Sequence, residues 1–253
     1  MKFSEQWLRE WVNPNLASEA LGHLLTMAGL EVESHTTAAP AFSGVVVAEV
    51  KSVRKHENAD RLRVCEVDIG TGELQQIVCG APNVSEGAKV PCATLGALLP
   101  GDFKIKATKM RGVASNGMLC SGQELGIPDG VDGLLLLPQD APVGVNLRDY
   151  LALDDTVIEL KITPNRADCL SIRGIAREVA ALTASPLQAP TVSPAPVTIT
   201  SQRGVKLSAG AACGRYLGRV IEQVNAQAST PAWMKQRLER AGVRSISAIV
   251  DVT

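Results

Sequence analysis

From residue 39 to residue 147, apolar positions come in runs of about six, broken by Gly, Pro, Asn and Asp, and none keeps a helical period for three turns. The pattern predicts strands near residues 44–53, 61–69, 74–79, 89–95, 103–107 and 133–137. Gly70-Thr71-Gly72 and Leu99-Pro100-Gly101-Asp102 are turn signals, while Gly80–Val84 and Gly112–Met118 are loops in which glycine admits positive φ. A set of short strands needs closure to avoid open edges. An OB-like β-barrel of about 100 residues is the expected form, although periodicity alone does not separate it from other small barrels.

The flanks read as helical. Ser4 precedes an apolar stripe of Trp7, Leu8, Trp11 and Val12, and Pro14 stops it. Ser18 opens a second helix with Leu21, Leu24, Leu25 and Ala28 on one face and Gly29 at the left-handed stop, followed by strand-like alternation over Leu30–Glu33. Beyond the β module, Val157–Ile162 alternates as a strand, Thr163–Asp168 is a turn ending in a capping donor, and Ile172, Ile175, Ala176, Val179 and Leu182 mark a helix face. The first 38 residues cannot bury two Trp and a leucine stripe alone. The expected architecture is therefore α+β multidomain: a small discontinuous α/β domain from 1–38 with 152–184, and the β module 39–151 inserted into it.

Residues 185–196 carry four prolines and read as a linker. Residues 197–253 read as the start of a further α/β or α+β domain. Its helix has Thr230 as cap, Pro231 at the first position and Gly242 as stop, and is followed by a β-like run over 245–252. Because that run would leave an unpaired strand edge, the sequence is expected to be a piece of a longer protein.

Charge changes the picture only locally. The 253 residues carry 25 Lys and Arg against 26 Asp and Glu, a formal net charge of -1, so any polyanion contact must come from patches. Two stretches qualify: Lys51, Arg54, Lys55, Arg61 and Arg63, and Lys104, Lys106, Lys109 and Arg111. On adjoining strands they could track a phosphate backbone; the plainer alternative is a solvated strand face. Stacking aromatics are scarce, with only Phe42 and Phe103 in the module before Tyr150, which favours folded RNA read by shape, or no RNA, over single strands.

Other chemistry is thin. His56, beside Glu57 and Asp60, reads as bonding to its own loop, and Cys79 and Cys120 as core residues. Six cysteines without a CxxC pair and three scattered histidines predict free thiols in a reducing cytoplasm and no metal site. No signal peptide and no apolar run near 18 residues are present, so no membrane span is expected. Arg166 and Asp168 in the 163–168 turn, with Asn165 between Pro164 and Arg166, are turn or interface candidates. Along with Arg173 and Arg177 they either pair with acids such as Glu178 or meet phosphate, pairing being the safer reading. Walker, Rossmann and HExxH motifs are absent.

Taken in order, Met27–Glu33, Val47–Val50, His56-Glu57-Asn58-Ala59-Asp60-Arg61-Leu62, Ile77–Asn83, Lys109-x-Arg111-Gly112-x-x-Ser115-x-Gly117-Met118, Ile162–Ser171 and Val250–Thr253 resemble the N-terminal third of the bacterial β subunits of phenylalanyl-tRNA synthetase, essentially over the whole sequence. The middle segments are similar to the OB-fold tRNA-binding domain shared by several synthetases. The resemblance implies a heterotetramer of two α and two β subunits in the cytoplasm that charges phenylalanine tRNA using ATP and Mg2+. It puts the aminoacylation site in the α subunit and makes this stretch a contributor of tRNA binding and subunit scaffold, with no catalytic residue and no bound cofactor of its own. It also makes 197–253 the first part of a B3-type editing domain, with Arg244 matching an arginine of the editing pocket. A chiefly structural assembly module, with little RNA affinity, is the alternative.

Overall fold

The computed structural model describes residues 1–127 and 132–253. In chain order the strands and helices are β1 (Lys2–Ser4), α1 (Glu5–Trp11), α2 (Ser18–Met27), β2 (Glu31–Thr37), β3 (Ser43–His56), β4 (Ala59–Asp68), β5 (Leu74–Cys79), β6 (Lys89–Leu99), β7 (Phe103–Lys104), β8 (Thr108–Met110), β9 (Val113–Ser115), β10 (Met118–Leu119), α3 (Leu147–Tyr150), β11 (Thr156–Lys161), α4 (Ile172–Thr183), α5 (Ala232–Arg240) and α6 (Ala248–Asp251). A 3-10 turn covers Pro164–Cys169. Two compact units result, Met1–Ser34 with Ile158–Thr253, and His35–Val157.

In the unit His35–Val157, β3 is the central strand of a sheet ordered β10-β6-β3-β4-β5, antiparallel throughout, with β7 added to β6. Its first half pairs with β6 and its second with β4, and bulges after Val50 and Lys55 bend it between them. Val45 and Val47 enter one apolar cluster, with Ala97, Leu99, Leu125 and Leu147, while Ala48 and Val50 enter another, with Cys65, Val67, Ile77 and Val90. A strand buried on both faces explains why Val45–Val50 is a nearly continuous apolar run rather than an alternating one.

The sheet is an open path, and no closed barrel is formed by the described pairings. Its ends are linked locally. The amide of Asn116 donates to the Gln76 carbonyl at 2.9 Å, the Val78 amide donates to Ser115 Oγ at 3.0 Å, and Met118 and Leu119 pair with Ala93 and Cys92 of β6.

Two strand expectations need correction in this unit. Residues 133–137 form no strand but a single bridge between Leu137 and Lys89. The Asn83 side chain takes both backbone groups of Leu134, accepting its amide at 2.8 Å and donating to its carbonyl at 2.9 Å, which removes them from any ladder. The 103–107 strand shortens to β7.

In the other unit, β1, β11 and β2 form a three-stranded sheet in that order. Phe3, Leu8, Leu21, Leu25, Ile158, Leu160, Ile175 and Val179 make its core. Ser4 caps α1 by accepting the Trp7 amide at 3.1 Å. Gly29, at φ +89°, ends α2, with Leu30 bonding back to the Leu25 carbonyl at 2.9 Å. The cap of α4 is Ser171, which accepts the Gly174 amide at 3.0 Å; the expected donor Asp168 lies inside the 3-10 turn and does not cap it. Further on, α5 starts at Ala232 with Pro231 at the cap position, and Thr230 makes no capping bond. The β-like run over 245–252 is the helix α6 instead. Ser247 caps it, and Asp251 accepts the Ile246 amide at 2.8 Å, so short polar side chains satisfy the backbone locally where a strand would need a partner.

Candidate nucleic-acid interface

Six basic residues of the unit His35–Val157, all exposed except the half-buried Arg63, sit on three local structures. Arg54 and Lys55 lie at the end of β3, Arg61 and Arg63 on β4, and Lys109 and Arg111 on the hairpin of β8 and β9. That hairpin turns through Arg111 at φ +50° and Gly112 at φ +91°, and Met110 faces Val113 across it. Two positive φ values in a two-residue loop are the geometry that matches strand twist, and the Arg-Gly pair projects its arginine at the tip.

Register brings like charges together. Lys55 stands directly opposite Arg63, one pair before the bulge at His56. Arg63 spends one guanidinium nitrogen on the carbonyls of Asp60 and Leu62, at 3.0 and 3.1 Å. Among the described residues, Arg54, Lys55, Arg61, Arg63, Lys104, Lys106, Lys109 and Arg111 form no ion pair with a carboxylate.

Lys51 differs from these. It pairs with Glu49 at 2.9 Å and with Asp68 at 4.0 Å, and Lys89 meets the other oxygen of Glu49 at 3.0 Å. Hydrogen bonds from Lys51 and then Lys89 hold the Glu49 carboxyl below its usual range, and the same Glu49 bond pushes Lys51 up. Its charge is already answered within the chain.

A contact between the two basic stretches was not legible in the sequence. His56 is 4% exposed; its Nδ1 accepts the Asn58 amide at 3.1 Å, and its Nε2 lies 3.0 Å from the Met110 carbonyl. The bond to its own loop matches the sequence reading. The partner 54 residues away has no local signal and joins the end of β3 to the residue between Lys109 and Arg111.

The remaining candidates are dispersed. Lys104 and Lys106 flank the buried Ile105 and are exposed, and of the two phenylalanines Phe42 is buried and Phe103 is 58% exposed. In the other unit, Arg166 pairs with Asp168 at 3.2 Å and Glu178 at 2.8 Å, and donates to Cys169 Sγ at 3.1 Å. Those bonds raise the guanidinium further and lower Asp168. Asn165 is exposed on the same turn, and Arg173 and Arg177 are exposed on α4. Arg244 is exposed between α5 and α6. Burial pushes the thiols up, Cys65 to about 11 and Cys92 to about 12, so neither offers a thiolate nucleophile. Among the described residues no group of three or more His, Cys, Asp or Glu is arranged to hold a metal ion, and no helix is long and apolar enough to cross a membrane.

Residues 45–146 match the family model described as "Putative tRNA binding domain", and residues 212–253 match that of the B3/4 domain. The sheet around β3 is thus a domain of the tRNA-binding type. Along all 253 residues the chain is 70% identical to the phenylalanine–tRNA ligase β subunit of Chromobacterium violaceum, 65% identical to that of Neisseria gonorrhoeae and 61% identical to that of Dechloromonas aromatica. It spans 32% of the length of each. That similarity is unbroken over the whole of this chain and extends along about a third of each relative. Solved structures aligned with it include the C-terminal domain of Plasmodium vivax p43, at 23% identity over 40% of this chain and 57% of that one, with a TM-score of 0.30, too low to carry an argument.

Proposed function

We propose that the unit His35–Val157 supplies a tRNA-contacting surface to a phenylalanine–tRNA ligase. The observation that carries this reading is the cross-strand pair Lys55 and Arg63, like charges set directly opposite with no carboxylate between them. Such a pair costs stability in a free sheet, and a phosphate laid across it removes the cost. The match of residues 45–146 to a tRNA-binding domain supports tRNA as the polyanion. The segment 113–119, bonded to β5 on one side and β6 on the other, is read as closing an OB-like barrel between them.

The rest of the reading concerns the intact enzyme. Phenylalanine, ATP and tRNA become Phe-tRNA, AMP and diphosphate, and the α subunit holds the reacting groups in a cytoplasmic assembly of two α and two β chains. This chain adds RNA contacts and scaffold. In this reading ATP and its metal are left to the partner. The discontinuous domain 1–38 with 152–184, the inserted 39–151, the linker 185–196 and the B3-type start 197–253 complete the proposed organisation. In the last of these, Arg244 is the editing-pocket candidate, and Asn165, Arg166 and Asp168 form a structural turn.

The test is a titration of phenylalanine tRNA, with a non-cognate tRNA as control, into the chain at about 50 and 200 mM salt, a range over which phosphate contacts must weaken. Binding that falls with salt, and falls further when Lys104, Lys106 and Arg111 are neutralised together, is the expected result. Absence of binding at low salt by a folded sample overturns it and leaves assembly with the α subunit as the role.

A further inference from the structure

We propose that His56 is a positioning residue that makes the two basic stretches act as one polyanion site, an inference that rests on the RNA-binding reading above. The ring is buried at the point where β3 bulges away from β4. Because Nδ1 accepts the Asn58 amide, the ring proton sits on Nε2, which donates to the Met110 carbonyl. One neutral imidazole therefore fixes two backbones, each next to cations: Lys55 on its own strand, and Lys109 and Arg111 on either side of Met110.

The hairpin needs such a tie. Its strands are three residues each and form a separate two-stranded sheet, a length marginal by itself in water. It is held at its base, where Ser115 Oγ accepts the Val78 amide and the Gln76 side chain donates to the Ala114 carbonyl at 2.8 Å. His56 provides the bond near the tip. Without it, Arg111 is free to swing about the base, and its distance from Lys55 and Arg63 is no longer set. Charges at fixed spacing engage successive phosphates together; charges at variable spacing lose ordering entropy on binding.

Two variants separate the two bonds of the ring. In His56→Asn the amide oxygen takes the place of Nδ1 and keeps the Asn58 amide satisfied, but the side chain is too short for Met110. His56→Gln reaches towards Met110 and gives up the turn. Titrated with phenylalanine tRNA between about 50 and 200 mM salt, His56→Asn is expected to bind about three- to tenfold more weakly and to lower the salt slope by about one to two phosphate contacts. His56→Gln is expected to recover most of that loss. In a Lys109→Ala/Arg111→Ala background, adding His56→Asn is expected to change affinity less than about twofold, since the groups it positions are gone. Amide exchange should rise over Thr108–Ser115 in His56→Asn and stay unchanged in β4 and β6. Equal losses from His56→Asn in both backgrounds, or an unchanged salt slope, overturn the proposal and leave His56 serving its own turn. Failure of the unaltered chain to bind tRNA at about 50 mM salt instead overturns the RNA-binding reading and this inference with it.

Discussion

Val47 and Val50 of β3 and Val64 and Val67 of β4 are at most 2% exposed, whereas no residue after Val179 is buried, and Val197, Leu217 and Trp233 stand 83, 82 and 56% exposed. Apolar content does not separate the two regions. In β3 the apolar residues pair with β6 along the first half of the strand and with β4 along the second, and they enter a cluster on each face. Over 197–221 the same residue types find no strand to pair with among the described residues, and no sheet forms. An apolar run is thus a request for partners, and it becomes structure only where the chain brings a ladder and a covering layer.

The sharpest way to break this contrast is truncation in each region. Ile77 is fully buried in β5, and Ile77→Ala is expected to destabilise the β unit by about 2–5 kcal/mol through lost transfer energy and a residual cavity. Leu217→Ala is expected to stay within about 0.5 kcal/mol. Hydrogen-exchange opening energies at β4 amides, compared across the two variants and the parent, decide it. Comparable losses would mean that the C-terminal region supports the fold in a way its exposure does not indicate.

A second effect sharpens how tightly the first unit is built. A Cβ on Gly174 would lie 1.8 Å from the backbone oxygen of Asp168, so only glycine lets the 3-10 turn rest on the first turn of α4. Gly174→Ala must push that turn away, at a cost of about 1–3 kcal/mol, and with it the Arg166 and Glu178 pair. Urea unfolding should show the loss, and the signals of Arg166 should shift. A neutral result would mean the turn moves without penalty.

Caps offer a smaller version of the same comparison. Ser4→Ala removes the acceptor of the Trp7 amide and should cost about 1 kcal/mol, while Thr230→Ala should leave the start of α5 unchanged because Thr230 caps nothing there. Helical content followed during thermal unfolding separates the two.

These cases show which parts were legible in advance. The Ser4 cap, the Gly29 stop and the strand cores at 45–50 and 74–79 rest on local chemistry, and sequence carries local chemistry openly. The run 245–252 reads as a strand because Ile246, Ile249, Val250 and Val252 are β-branched residues that strands favour, while Ser247 and Asp251 capture the backbone first. The strand near 133–137 failed because Asn83, about 50 residues earlier, claims Leu134, and the basic stretches are joined by a ring 54 residues from its partner. Neither contact has a spacing that a periodicity can reveal. The charged candidates themselves were legible, but that Lys51 is answered by Glu49 and Asp68 while Lys55 faces Arg63 depends on register.

The smallest effect tests whether the exposed C-terminal region is ordered by polar bonds rather than by burial. Asp251 accepts from the Ile246 amide at 2.8 Å, from Ser245 Oγ at 2.6 Å and from Thr230 Oγ1 at 2.5 Å, and these bonds, the Ile246 amide first, lower its carboxyl from 3.8 to about 2. A depressed carboxyl favours the ordered state above the unfolded pKa, and that preference is lost as pH falls through the folded one. Order in the loop carrying Arg244 should therefore hold above about pH 4 and fade between about pH 4 and pH 2, with the Asp251 carboxyl carbon titrating near the lower limit. Asp251→Asn should abolish this pH dependence and leave the β4 amides untouched. A midpoint near 4 would show that the three donors do not hold the carboxylate in solution, and that neither burial nor polar bonding orders the loop.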